Sequence, residues 1–470
     1  MNNSAPSNKF AFWYSYDAES RLYQLRTNNT DNYSTSTLRA TYTYRADDNV
    51  SKLQYPGPYI QYSYDANRGW VTNIEEVALG QFRETLTYYT NGNIHTQTII
   101  NSGNPNWPNL NTTFSYDGLN RLTGTSVSGY SNYNESFSYD ADGNFTNTLR
   151  GGLYYYQSGT NKLINIEAPG DKYYTYTYDN KGSVTGKSEA SAGNIFTIGS
   201  YDRRNLPLSV TTPPGTFSYF YDDSGSRIIK QSPDSTRYYI RDFTGRTLAI
   251  YDITGTSYVF KTANLFGNGL IGRADANGAG YKTFYYFKDH LGSIRQTWDE
   301  SGNIVAAQDY FSYGDILRSY GGSSPLERYK FTSKERDNES SLDYFGARYY
   351  ESLSGRWMQV DPMADDNPDV SPYVYAGDNP INRTDPDGRQ DSTLTYWLQP
   401  ITVTAQMVPI TEPFFGPVPL PIPAPPDINT ANKTGQAVSE FLNRLNNINN
   451  VVKLGVITLI TPVINSSYAK

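Results

Sequence analysis

The side chains best able to do chemistry are few. His95 and His290 are the only imidazoles in a chain of 470 residues that has no cysteine. A zinc site would have to be built mainly from carboxylates, which suits that metal poorly. No metal site is therefore expected, and His290 reads as a hydrogen-bonded turn residue in Asp289-His290-Leu291-Gly292. Carboxylates are more numerous, and many follow a tyrosine, as at Asp17, Asp117, Asp140 and Asp179. Scattered acids of this kind can serve as a glycosidase pair or as calcium ligands. Their recurrence at one place in a repeated pattern favours a turn instead. Asp361 and Asp385 each precede a proline, which is also turn chemistry. The chain has no P-loop, no Gly-x-Ser-x-Gly and no dinucleotide fingerprint, so no cofactor is expected.

The elements that must position these residues are written in repeats. YSYDAESRL begins at Tyr14, FSYDGLNRLTG at Phe114, FSYDADGNF at Phe137, YTYDNKGSV at Tyr176 and YFYDDSGSRI at Tyr219. The marker tyrosine falls at 16, 64, 116, 139, 178, 201 and 221, with looser copies at Tyr44 and Tyr89 and a degenerate one within 153–166. Spacings mostly in the twenties fit two strands and two turns per unit. Alternation before the aspartate is a strand pattern. The aspartate opens the turn, Asn120, Gly143, Gly182 or Gly225 supplies positive φ, and pairs such as Arg121-Leu122 start the return strand. The reading is an all-β fold of tandem hairpins, joined from about residue 10 to 330 into one antiparallel sheet that curls round a cavity. The 44 tyrosines, against 20 Phe and 6 Trp, suit strands and the wall of a wet interior. Net charge is −7 without a basic stripe, which counts against a nucleic-acid partner. The first residues lack the pattern of a signal peptide.

The repeats, and above all the stretch 285–388, resemble the Rhs/YD-repeat family, which includes bacterial polymorphic toxins, insecticidal toxin C subunits and the teneurin YD shell. The blocks are YYFKDHLGSIRQTWDESGNIV, YKFTSKERDNESSLDYFGARYYESLSGRWMQVDP and SPYVYAGDNPINRTDPDG. The resemblance implies a spiralled hollow shell over 10–275, an Rhs repeat-associated core that plugs it over 276–389, and a variable tail over 390–470. It also implies an aspartyl autoprotease whose carboxylates match Asp361 and Asp385, aided by Arg356, cutting near Arg389-Gln390. Two departures stand against cleavage: Ala364 where relatives carry Gly, and Arg389 where they carry Leu. The alternative is that both Asp-Pro pairs are turns sealing the plug. With about a dozen hairpins, an incomplete shell is expected.

After Gly388 the composition changes. Prolines crowd 409–426, Val438, Phe441, Leu442, Leu445, Ile448 and Val452 recur at helical spacing, and an apolar run covers 454–464. That run is too short to span a bilayer. The expectation is a stiff lead followed by a weak amphipathic helix. Two functions follow: a shell that encloses its own C-terminal segment as cargo, or an adhesion module binding carbohydrate or protein through its Tyr-rich sheet. An immunity protein, a target-cell surface and membrane contact by the tail are the further partners expected. The expected location is secreted or at the cell surface.

Overall fold

The computed structural model describes residues 10–28, 32–254, 257–278, 280–321, 327–389 and 391–393. Twenty-eight strands, from Ala11–Tyr16 to Ile316–Tyr320, form one sheet. Each pairs antiparallel with the next in sequence. The meander crosses residue 275 unbroken, because Gly269–Asn277 pairs with strands on both sides. Among the described residues the two end strands each pair on one side only, so the sheet is open.

The aspartates make the turns, as the repeat predicts. Oδ1 of Asp117 accepts the N–H groups of Leu119 and Arg121, each at 2.9 Å. Asp202 does the same for Arg204 and Leu206, and Asp289 for Leu291 and Ser293. The third residue after the aspartate is left-handed, as at Asn120 (φ 64°) and Gly182 (φ 87°). Gly182 is fixed a second way, since a Cβ there would lie 2.7 Å from the Tyr373 hydroxyl.

The tyrosines do something the repeat did not reveal. Strand register slips at each marker tyrosine, as between Ser15 and Tyr16 or Ser63 and Tyr64. The hydroxyl then reaches back to a carbonyl of the preceding hairpin: Tyr44 to Leu22 (2.7 Å), Tyr64 to Val50 (2.6 Å), Tyr116 to Ile94 (2.9 Å) and Tyr221 to Pro207 (2.8 Å). Arg241 and Asn264 make the same link to the Arg227 and Thr247 carbonyls. This ladder corrects one reading. The rung in the loose copy is Tyr88, bonded to Val71, while Tyr89 takes the aspartate's place with its N–H on Asn93. Tyr156, bonded to Phe145, fills the degenerate copy.

The sheet winds around its own later residues. Leu25, Leu53 and Ile74 share a core with Leu265, Tyr285 and Trp298, and the Phe10 ring meets Phe260 and Tyr281. A larger core joins Leu86, Phe114, Phe145, Tyr176 and Ile198 of the wall to Tyr349, Tyr350, Trp357 and Tyr375. These last belong to the inward segment, which carries a four-stranded sheet of Glu335–Asp337, Leu342–Tyr344, Tyr349–Glu351 and Arg356–Trp357. Buried ion pairs pin it to the wall: Arg227 and Lys230 to Asp337 at 2.6 and 2.8 Å, and Lys187 to Glu351 at 2.5 Å. The Pro-rich lead and amphipathic helix expected in the tail lie outside the described residues.

Candidate functional site

Within the inward segment, the strand Tyr349–Glu351 is preceded by a turn at Gly346 (φ 108°) that presents Arg348. Its guanidinium bridges the two candidate aspartates, Nη1 to Asp361 Oδ2 at 2.9 Å and Nη2 to Asp385 Oδ2 at 3.0 Å. The 24 positions between them are thus folded back onto a single cation. The indole of Trp357 lies 4.1 Å beneath the guanidinium and fixes its plane.

Both Asp-Pro elements are turns as well. Asp361 Oδ1 accepts the Met363 N–H at 2.8 Å. Asp385 Oδ1 accepts the N–H groups of Asp387, Gly388 and Arg389 at 3.2, 2.7 and 3.1 Å. The turn after Asp385 is clamped from outside: Arg348 Nε donates to the Gly388 carbonyl (2.6 Å), Ala347 N–H to Asp387 (2.9 Å) and Lys334 Nζ to Pro386 (2.5 Å). Gly388 (φ 82°) is required here, since a Cβ would lie 2.9 Å from the Arg348 nitrogen. The Asp385 side chain is 0% exposed and that of Asp361 24%, so water reaches only the latter.

Arg356 does not join this group. Its Nη1 donates to Asn144 Oδ1 (3.0 Å) and the Tyr156 hydroxyl (3.2 Å), and its Nη2 to the Asn161 carbonyl (2.9 Å). It braces the inward segment against the wall, and Arg348 holds the place between the carboxylates. Arg336, Arg348 and Arg356 lie close together in sequence, and no spacing rule distinguishes them; the turn at Gly346 does. Asp391 is a further residue missed in the sequence. Burial, then the charge of Asp385, pushes its carboxyl up to about 7.

His290 is a structural residue in a turn. Its Nδ1 meets Glu84 Oε1 at 2.6 Å and its Nε2 the Ile381 carbonyl at 3.0 Å. Because the carbonyl can only accept, the ring donates from Nε2. Burial opposes its charge, yet the Glu84 carboxylate outweighs burial and holds the imidazole above its usual range. Among the described residues no cluster of His, Cys, Asp and Glu could hold a metal ion, and no helix is long and apolar enough to cross a membrane.

Three likenesses place this architecture. Salivary gland surface protein 1 of Aedes aegypti is 34% identical over 194 residues, covering 38% of this chain and 6% of that protein. The tRNA3(Ser)-specific nuclease WapA of Bacillus spizizenii is 28% identical over 222 residues, covering 46% of this chain and 8% of that protein. The chain therefore spans under a tenth of the length of either relative. The crystal structure of TcdB2-TccC3-Cdc42 superposes with a TM-score of 0.59 at 17% identity, over 80% of this chain and 20% of that one, which shows a shared fold. The family model of the teneurin YD-shell matches residues 78–381. The chain belongs to the teneurin YD-shell family, the group that its Tyr-Asp repeats resemble.

Proposed function

We propose that this chain is an Rhs-type shell that encloses its own C-terminal segment and severs it by hydrolysis near Arg389-Gln390. The observation that carries the reading is Arg348, which holds Asp361 and Asp385 on one guanidinium while its Nε grips the Gly388 carbonyl beside the proposed cut. Asp385, buried and bonded to three successive N–H groups, fixes the turn. Asp361, the carboxylate open to water, is the base. It takes a proton from water as the oxygen bonds to the Arg389 carbonyl carbon, and returns it to the Gln390 nitrogen as the C–N bond breaks.

The burial of the largest aromatic side chains supports enclosure over adhesion. Trp298, Trp357, Tyr219, Tyr239, Tyr349, Tyr350 and Tyr375 are fully buried, whereas eight tyrosines among the described residues, Tyr155 and Tyr173 included, are exposed. The segment from 390 is then the cargo, with an effector role analogous to the nuclease named for the Bacillus relative, a location outside the producing cell, and an immunity protein as its partner. The segment 276–389 closes the shell in two parts, its strands to Tyr320 ending the wall and the inward residues 327–389 acting as the plug. Intact-mass measurement of the purified chain is the test. Fragments ending at residue 389 are expected, and Asp361→Asn should abolish them. A cut that persists in that variant sinks the assignment.

A further inference from the structure

Just past the proposed cut, the chain is held again. Ser392–Thr393 pairs antiparallel with Arg383–Thr384, Thr384 opposite Ser392 and Arg383 opposite Thr393. Thr384 directly precedes Asp385, so neighbouring residues grip the chain on both sides of the proposed scissile bond. Asp391 lies beside a notch made by three successive left-handed residues, Ala376 (φ 53°), Gly377 (φ 55°) and Asp378 (φ 59°). A Cβ on Gly377 would sit 2.9 Å from Arg383 Nη1 and 3.7 Å from Asp391 Oδ2. Such a run of backbone is costly and persists only where its surroundings enforce it.

We propose that Ser392–Thr393, with Asp391 seated in the Gly377 notch, is a clasp that keeps the segment beyond residue 389 bound to the shell after the backbone is cut. The clasp takes its trigger, though not its contacts, from the self-cleavage reading. Facing Asp391 are the cations Arg348 and Arg383 and the carboxyl groups of Asp385, Asp361 and Asp378. Burial and the Asp385 charge favour a protonated Asp391 in the docked state. An undocked aspartate ionises near 3.9. Docking is therefore unopposed below that pH, weakens as pH rises, and reaches its full penalty above about 7.

The test uses the full chain with a site-specific protease sequence inserted after Arg389 and the N-terminal part immobilised. After proteolysis the downstream fragment should stay bound at pH 5, and its binding should weaken on the order of 50- to 100-fold by pH 8. Asp391→Asn should flatten that dependence. The double substitution S392P/T393P, which removes both backbone donors, should release the fragment at either pH. Immediate loss at pH 5, or equal retention by S392P/T393P, would overturn the clasp. Because the inserted site supplies the cut, a chain that never cuts itself gives the same answer about the clasp, and fails only the self-cleavage reading.

Discussion

A buried tyrosine gains from its ring and loses by its hydroxyl unless the hydroxyl finds a partner. Here the partner is a carbonyl freed where strand register slips, and it belongs to the hairpin before. Each rung is therefore both a satisfied hydroxyl and a tie between repeats. Tyr64→Phe keeps the ring and deletes the bond to the Val50 carbonyl. It should lower stability by about 1–2 kcal/mol in denaturant titration. A change within 0.3 kcal/mol would show that the rung contributes nothing beyond its ring.

Among the elements, the short strand Glu335–Asp337 is locked to the wall by charge as well as packing. Asp337 is fully buried between Arg227 and Lys230, and although burial opposes its ionisation, those cations hold its carboxyl down to about 2. Removing one partner of such a group strands the other charges. Asp337→Asn is expected to cost about 3–5 kcal/mol, whereas the exposed pair Arg45–Asp47 should tolerate Asp47→Asn within about 1 kcal/mol. Thermal melts of the two variants separate the cases.

For the molecule as a whole, Glu84, His290 and Ile381 join three distant parts of the chain: an early wall strand, a late hairpin turn and the end of the inward segment. His290 is raised by Glu84, against burial. Its contribution is therefore full below the ordinary histidine value near 6.5 and is lost as pH rises through the raised one. Glu84, lowered by His290 against burial, contributes above the ordinary glutamate value and is lost as pH falls through the lowered one. Melting temperature should accordingly be highest between about pH 4.5 and 6.5 and decline above it. The gap between the parent and His290→Asn should narrow as pH rises. A gap that stays constant across that range would mean the contact holds by shape alone.

The sequence by itself determined the strands, the Asp turns and the meander, because those depend on contacts between residues only a few positions apart. It also placed Asp361 and Asp385 in turns, since Asp before Pro acts locally. Only the tertiary structure decided what those turns face. Arg348 rather than Arg356 lies between the carboxylates because the Gly346 turn and the Trp357 face aim it there. Tyr88 rather than Tyr89 is a rung because a register slip, invisible in composition, sets which tyrosine reaches the previous hairpin. The pairing of Ser392–Thr393 with Arg383–Thr384 is local, but strands of two residues carry no alternation to read, and only the tertiary structure sets Asp391 beside Gly377.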